Sequence, residues 1–242
     1  MNENNTASSF ARRFKKISIV LVCLLPLGVL GTKFGLFPYT AGFLLLSLSV
    51  LGSIVVLLIN LIWNFRKPGP ANRKIILFTS ILAIFPLAIA AIAVGGSSGK
   101  GLNHDISTDL VDPPQFVAGV IERGEDSNPL ERSIEDVTIQ QENYSYIQAI
   151  ISPLAPAEAF SRAIATSRQL GWEIYAEVPN EGRIEAVDRT FWFDFKDDIV
   201  IRIKAENDGS RIDLRSVSRV GRGDLGANAK RIKLFTENFE NQ

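Results

Sequence analysis

Three long apolar runs occupy the first part of the chain, at about 17–36, 41–63 and 75–94. Each approaches the ~20 residues that carry a helix across a ~30 Å hydrocarbon core. Lys33 is the one charge inside them, near the end of the first run, where its stem can snorkel to the interface. Pro26 and Pro86 lie inside runs, which membrane helices tolerate and soluble helices rarely do. The pattern predicts three transmembrane helices rather than buried core helices. For the first run a cleaved signal peptide is the alternative, because "ARRFKKIS" resembles a basic leader. The run exceeds the roughly 7–15 residues of a signal core, and no small-residue cleavage site follows it.

Beyond the runs the pattern changes. "GGSSGKGLN" (95–103) has the composition of a flexible linker, and "HDISTDLVDPPQF" reads as extended chain because Pro113 and Pro114 forbid a helix. "RGEDSNPLERSIED" reads as polar loop, and regular structure is expected from about Tyr144, where "YSYIQAIIS" is strand-like. "APAEAFSRAIATSRQLG" predicts a helix with Phe160, Ala163, Ile164, Ser167 and Leu170 on one face and Gly171 ending it. Strands are expected at 172–178, 183–195, 199–206 and 211–220, joined by turns at "PNEG", "KDD" and "NDGS". Leu225, Ile232, Phe235 and Phe239 then mark the apolar face of a closing helix. The fold class expected is an α-helical membrane anchor followed by an α+β domain, an antiparallel β-meander with helices on one face. The divisions are a tail at 1–16, a membrane region at 17–95, a linker at 96–103 and a folded domain at 104–242.

Charge adds direction. Lys and Arg total 26 and Asp and Glu total 26, yet the two halves differ in sign. Up to Gly99 there are nine basic residues against one acid, and from Lys100 onward seventeen against twenty-five. Basic residues precede the first run, and Arg66, Lys67, Arg73 and Lys74 crowd the connection between the second and third. The positive-inside rule then places the N-terminus and that connection in the cytoplasm and the last domain outside. The expected location is the inner (plasma) membrane, multi-pass, with the domain periplasmic in a Gram-negative cell. The single cysteine, Cys23, falls in the first run, so the exported half has no disulfide. An acidic domain is a poor partner for DNA or RNA, whose non-specific binding rests on excess Lys and Arg.

"VGRGDLGANAKRI" (220–232) contains Gly221, Gly223 and Gly226 at dinucleotide-loop spacing. Such a site needs a second parallel strand and an acidic residue about 20 positions on. The closing helix uses the residues that follow, so the glycines read as a strand-to-helix turn, with Asp224 capping the helix. No cofactor is expected.

"HDISTDLVDPPQF" (104–116), "IEAVDRTFWFDFKDDIVIRI" (184–203) and "RSVSRVGRGDLGANAKRI" (215–232) together resemble the domain-of-unknown-function family numbered fourteen ninety-nine, mainly bacterial and also found in plants. The resemblance covers about residues 101–235, and membrane spans ahead of the domain are similar to those of some bacterial members. It implies a domain boundary and no mechanism.

Candidate chemistry is sparse. His104 is the one histidine, so a zinc site of nitrogen and sulfur ligands cannot form within the chain, and no metal is expected. Asp105, Asp109 and Asp112 lack a calcium-loop spacing. Ser216 and Ser218 sit in no nucleophile elbow. Glu185, Asp197 and Asp198 offer paired acids for a glycosidase, but Asp197 and Asp198 fall at an expected solvated turn. Alternation along 199–206 and 211–220 puts Arg202, Arg215 and Arg219 on one sheet face, opposite the apolar positions. That face reads either as a charged surface with cross-strand pairs to Asp213, Glu185 or Asp194, or as an anion site. Arg202, Arg215, Arg219 and His104 are therefore the candidate ligand-binding residues. The sequence reads as a membrane-anchored envelope protein whose exported domain binds a ligand or protein partner. The alternatives are an enzyme acting on envelope glycan or lipid through carboxylates and arginines, and a purely structural membrane subunit. Expected partners are the lipid bilayer and a small anionic ligand or an envelope protein, with no nucleic acid.

Overall fold

The structure, a computed structural model, describes residues 7–66, 68–95 and 103–242. The expected linker at 96–103 lies, apart from Asn103, outside the described residues. The chain forms two compact units, one helical and one α+β.

The helical unit consists of α1 (Ser9–Lys33), α2 (Tyr39–Phe65) and α3 (Pro70–Gly95). All three are long and apolar enough to cross a membrane. Ser8 caps α1, its hydroxyl accepting from the amide of Ala11 at 3.1 Å. Small residues let the helices approach: a Cβ on Gly28 would stand 2.8 Å from the carbonyl oxygen of Gly42. The inner surface also holds a polar lock, with Asn60 Nδ2 donating to Thr79 Oγ1 and Ser80 Oγ, each at 2.9 Å. Phe14, Val56 and Ala83 form a small apolar cluster beside it, while many other Leu, Ile, Val and Phe side chains are exposed. Small and hydrogen-bonded polar residues between helices with an apolar exterior suit a bilayer, because helix association there gains from close packing and hydrogen bonds rather than from hiding apolar surface.

The α+β unit is built on one antiparallel sheet. Its strands are β1 (Asp105–Ser107), β2 (Ile150–Ser152), β3 (Glu173–Val178), β4 (Arg183–Arg189), β5 (Lys196–Glu206) and β6 (Gly209–Ser218). The order is β1-β6-β5-β4-β3, with β2 also pairing β6 beside β1. Two helices, α6 (Pro156–Gln169) and α7 (Ala227–Glu240), cover one face. Ile184, Ile199, Ile201, Ile212 and Leu214 from the strands meet Phe160 and Ala163 of α6 and Ile232, Phe235 and Phe239 of α7. Trp172 stacks on Phe235 with ring centroids 5.4 Å apart. The opposite face is covered by the chain between β1 and residue 133, which includes the short helix α4 (Ala118–Glu122). There Phe116 and Leu130 pack on Val200 and Val217.

Three local expectations are corrected. The strand expected over 183–195 ends at Arg189, and the turn lies at Thr190–Phe195 rather than at "KDD". The Thr190 amide donates to the Phe195 carbonyl at 2.8 Å, the Phe195 amide to Thr190 Oγ1 at 2.9 Å, and Asp194 takes a left-handed φ of 56°. Aromatic and threonine residues favour strands, which is why this stretch reads as one. Second, part of the expected polar loop is α5 (Ile134–Asn143), begun by a capping box between Ser133 and Asp136, and "YSYIQAIIS" contributes only the short β2. Third, Leu225 does not join the apolar face of α7. It precedes the helix at a left-handed φ of 56° and is exposed.

Gly182 closes the β3–β4 connection at φ 62°, and a Cβ there would collide with the carbonyl oxygen of Ile203. Gly182→Ala is therefore expected to destabilise the domain by ~1–3 kcal/mol, read as a lowered denaturation midpoint.

Candidate functional site

Alternation along β5 and β6 puts Arg202, Asp213, Arg215, Val217 and Asp198 on the face away from α6 and α7. Arg202, Arg215 and Arg219 do share that face, but they serve three separate carboxylate groups.

Arg215 is 1 % exposed, and its guanidinium forks onto Asp105, Nε to Oδ1 at 3.1 Å and Nη2 to Oδ2 at 2.6 Å. Nη2 also donates to the carbonyl of Leu130 at 2.5 Å, while the guanidinium carbon lies 5.7 Å from the Phe116 ring centroid. A second cation, Arg132, approaches the same Asp105 at 3.6 Å. Burial, and then the neighbouring Arg215, work against the Arg132 charge, so its pKa is lowered despite Asp105. Gln140 of α5 completes this corner, accepting from Arg132 Nη2 at 2.7 Å and from the Ser107 amide at 3.0 Å.

Asp198, 0 % exposed, is the second centre. Arg219 binds it through two bonds of 2.9 and 2.8 Å, and Arg123 Nη1 adds a third at 2.7 Å. Hydrogen bonding to Asp198 raises the Arg219 pKa, whereas Arg123 lies deeper and desolvation lowers its own. Tyr175 beside them has its hydroxyl pKa pushed up by burial and by the Asp198 and Glu185 charges. Arg219 also holds the covering chain, its Nη1 donating to the Glu122 carbonyl at 2.7 Å, while Arg123, itself part of that chain, donates through Nη2 to the Asn128 carbonyl at 3.0 Å.

The third group is more open. Arg202 donates to Asp112, Asp109 and Asp213 at 2.9, 3.1 and 3.0 Å, and Arg211 forks onto Asp213 with two 3.0 Å bonds. Burial acts against ionisation of Asp109, but the amides of Asp112 and Val111 and the charge of Arg202 outweigh it and lower its pKa. Glu185 of β4 takes the amides of Val117, Ala118 and Gly119, the last at 2.7 Å, together with Arg183. A carboxylate beneath the start of α4 satisfies amides that have no partner in the helix.

The other sequence candidates are placed elsewhere. His104 contributes its carbonyl, which accepts from the Ser218 amide at 2.9 Å and Asn228 Nδ2 at 3.0 Å. Ser216 donates to Asn228 Oδ1 at 2.6 Å on the helix-covered face, and Ser218 Oγ accepts from Asn228 Nδ2 at 2.9 Å. Asp105 belongs to Arg215 while Asp109 and Asp112 belong to Arg202, so these carboxylates do not converge on one point. Asp197 and Asp198 are corrected: neither is at a solvated turn, and both are buried in β5 on opposite faces. Asp197 meets Arg231 of α7 at 2.7 Å, and Arg231 meets Asp188 at 2.8 Å. Burial disfavours the Arg231 charge, but these two carboxylates reverse that and raise its pKa. Arg123, Arg132 and Arg231 carried no sequence signal, since two lie in a stretch read as loop and the third falls in the closing helix outside its apolar positions.

This network sits within the span 105–239, and over that span the chain matches the model of a family described as a protein of unknown function (DUF1499). The chain belongs to the DUF1499 family. No curated protein matches it. The DUF1499 match opens on Asp105, the partner of Arg215, and closes on Phe239, the last core aromatic of α7, so it encloses both faces of the sheet. In front of this domain stand the helices able to span a membrane, which makes the protein a membrane protein of unknown activity.

Removing Arg215 would leave Asp105 buried with one distant cation. Arg215→Ala should cost ~3–5 kcal/mol, and Arg202→Ala, in the more open group, clearly less. Phosphate should not raise the melting temperature of the wild-type protein through these arginines, because carboxylates already fill their forks. A phosphate-dependent rise that Arg202→Ala abolishes would support the anion-site reading.

Asp224 behaves differently. Its carboxylate accepts from the amides of Gly226 at 2.8 Å and Asn228 at 2.5 Å, as expected of a cap, yet burial raises its pKa. A carboxyl with a raised folded-state pKa contributes stability that is complete below its unfolded pKa and is lost as pH rises through the folded value. The cost of Asp224→Asn relative to wild type should therefore be greatest in acid and shrink toward neutral pH. Asp224→Ala should follow the same pH trend and lose a further ~1 kcal/mol of capping.

Proposed function

We propose that the protein is a membrane-anchored envelope protein whose DUF1499 domain lies outside the cytoplasm and works by binding a ligand or neighbouring protein rather than by turnover. The observation that carries the binding part is a shallow cleft of about 220 Å³ on the α7 side of the sheet. Leu170, Trp172 and Leu234 form its apolar walls, and Asp188, Lys230 and Arg231 line it with charge. Convergence of apolar walls with a few placed charges suits recognition of a small partner group. Arg231 is held by Asp188 and Asp197, which leaves Lys230, on the outer side of α7, as the cation that can turn toward an anionic group. The sidedness is supported by the basic residues ahead of α1 and around the α2–α3 connection.

Reporter fusions at Gly69 and Gln242 are expected to give opposite sidedness, and equal activity from both would sink the exported placement. Envelope extract is expected to stabilise the purified full-length protein thermally, with the gain reduced in Lys230→Glu. Conversion of an extract component by the protein alone would replace the binding reading with an enzymatic one.

A further inference from the structure

We infer that the corner between β1 and α5 is a binding site for a compact monovalent anion of the halide class, held by the Nη1 group of Arg132. The observation behind it is a buried cation with donors left over. The Arg132 side chain is 6 % exposed. Its Nη2 donates to Gln140 Oε1 at 2.7 Å and to the Asp105 carbonyl at 3.3 Å. Among the described residues, no acceptor completes a hydrogen bond with Nε or Nη1, although both atoms are shut off from solvent. Nε at least approaches the Asp105 carboxylate, at 3.6 Å. Nη1 carries two further N–H groups. Burying donors without acceptors is costly, and more so on a charged group.

The charge of the corner does not balance either. Arg132 and Arg215 share one buried carboxylate, Asp105, and Arg215 takes up its oxygens with bonds of 3.1, 3.2 and 2.6 Å. The other acid that acts on Arg132 is Asp136, whose Oδ2 already accepts from the Ser133 amide at 3.0 Å and the Ser133 hydroxyl at 2.6 Å. Burial lowers the Arg132 pKa, and the Asp105 charge does not restore it. Two guanidiniums around one buried carboxylate leave one positive charge in excess. A water molecule could accept from Nη1, but only an anion also cancels that charge.

The same features set the class of ligand. The excess is a single unit, so a doubly charged ion would overshoot it close to Asp105. The leftover donors are enclosed by protein, which favours an ion of one atom or a few over phosphate. A guanidinium is weakly hydrated for a cation and gives up little on meeting a halide. Gln140 and the Asp105 carbonyl hold the guanidinium through Nη2, so Nη1 is positioned before an ion arrives. None of these residues lines the cleft beside α7, and this inference stands apart from binding there.

The test is thermal melting of the full-length protein, followed by tryptophan fluorescence, as sodium chloride replaces sodium gluconate at constant ionic strength. General screening is then unchanged. The expected result is a saturable rise of a few degrees in the midpoint, as for any ligand of the folded state alone. Bromide should act as chloride does, and phosphate should not. Arg132→Gln is expected to abolish the response, whereas Lys204→Gln, which removes an exposed cation paired with Asp112, should keep it. A wild-type midpoint indifferent to halide overturns the inference, as does a halide response that survives in Arg132→Gln or is matched by phosphate. Should Arg132→Gln fail to fold, crystals of the wild-type protein grown in bromide decide. An anomalous peak beside Arg132 Nη1 supports the site, and solvent density without anomalous signal there means water and overturns it. A bromide peak without halide-dependent stabilisation is an adventitious ion only, and overturns it too.

Discussion

A buried carboxylate held by two guanidiniums is the constraint around which the DUF1499 domain is arranged. Asp105 and Asp198 are each removed from water and each meets two arginines. Charges in such surroundings are tolerated only when they are paired and their remaining hydrogen-bonding capacity is used. Apart from Arg132 Nε and Nη1, which find no hydrogen-bond partner, remaining donors reach for backbone carbonyls: Arg215 for Leu130, Arg219 for Glu122, and Arg123, within the covering segment, for Asn128. The electrostatic requirement of the sheet face thereby fixes the path of a stretch that has little regular structure. A solvated sheet face would need no such cover. A fully apolar one would hold it by packing alone, without specifying which carbonyl meets which strand position.

The two faces of the sheet divide the work. Under α6 and α7 the domain is stabilised mainly by apolar burial, with Phe160, Phe235, Phe239 and the strand isoleucines forming one cluster. At the end of that face, where β4 and β5 turn, the core becomes polar and Arg231, Asn228 and Ser216 replace it. On the other face Phe116, Val200, Val217 and Leu130 form a smaller apolar contact, set among the ion pairs. In the helical unit Asn60, Thr79, Ser49 and Ser53 share the inside with Phe14, Val56 and Ala83, while many large aliphatics face outward. One chain thus carries two solutions to burial, each matched to a different solvent.

Legibility followed periodicity. The membrane helices, the sheet, α6 and α7 were readable because an apolar repeat at a definite period announces each of them. Even the sharing of one face by Arg202 and Arg215 followed from strand alternation. Their partners did not, since Asp105 lies 110 positions from Arg215 in sequence and nothing local links them. The same holds for Arg123 and Arg132, which sit in chain without a period and acquire meaning only once the sheet lies beneath them. Asp197 and Asp198 misled for the opposite reason: adjacent acids suggest a turn, yet in a strand they project to opposite faces and can each be neutralised from a different layer. The aromatic loop misled through propensity, because Thr, Phe and Trp are strand-formers that here make a turn. Helix α5 was signalled by its Ser133–Asp136 box, but a polar helix with one buried glutamine shows too weak an apolar stripe to be noticed.

Arg231 joins these threads. It projects from α7, beside the cleft formed with Trp172 and Leu234, and clamps the carboxylates at the base of the β4–β5 hairpin. A group bound in the cleft would lie against Asp188, one of the two carboxylates that hold this base. A cation there would compete with Arg231 for Asp188, and an anion would draw Arg231 away from it. Either shift would alter the electrostatic balance of the rung directly below Arg189 and Lys196, without any change in the apolar core. Arg231 and Asp197 are buried, so withdrawing a carboxylate from the guanidinium would carry the cost of an uncompensated buried charge. The base of the β4–β5 hairpin is therefore held by a single buried guanidinium that also lines the cleft.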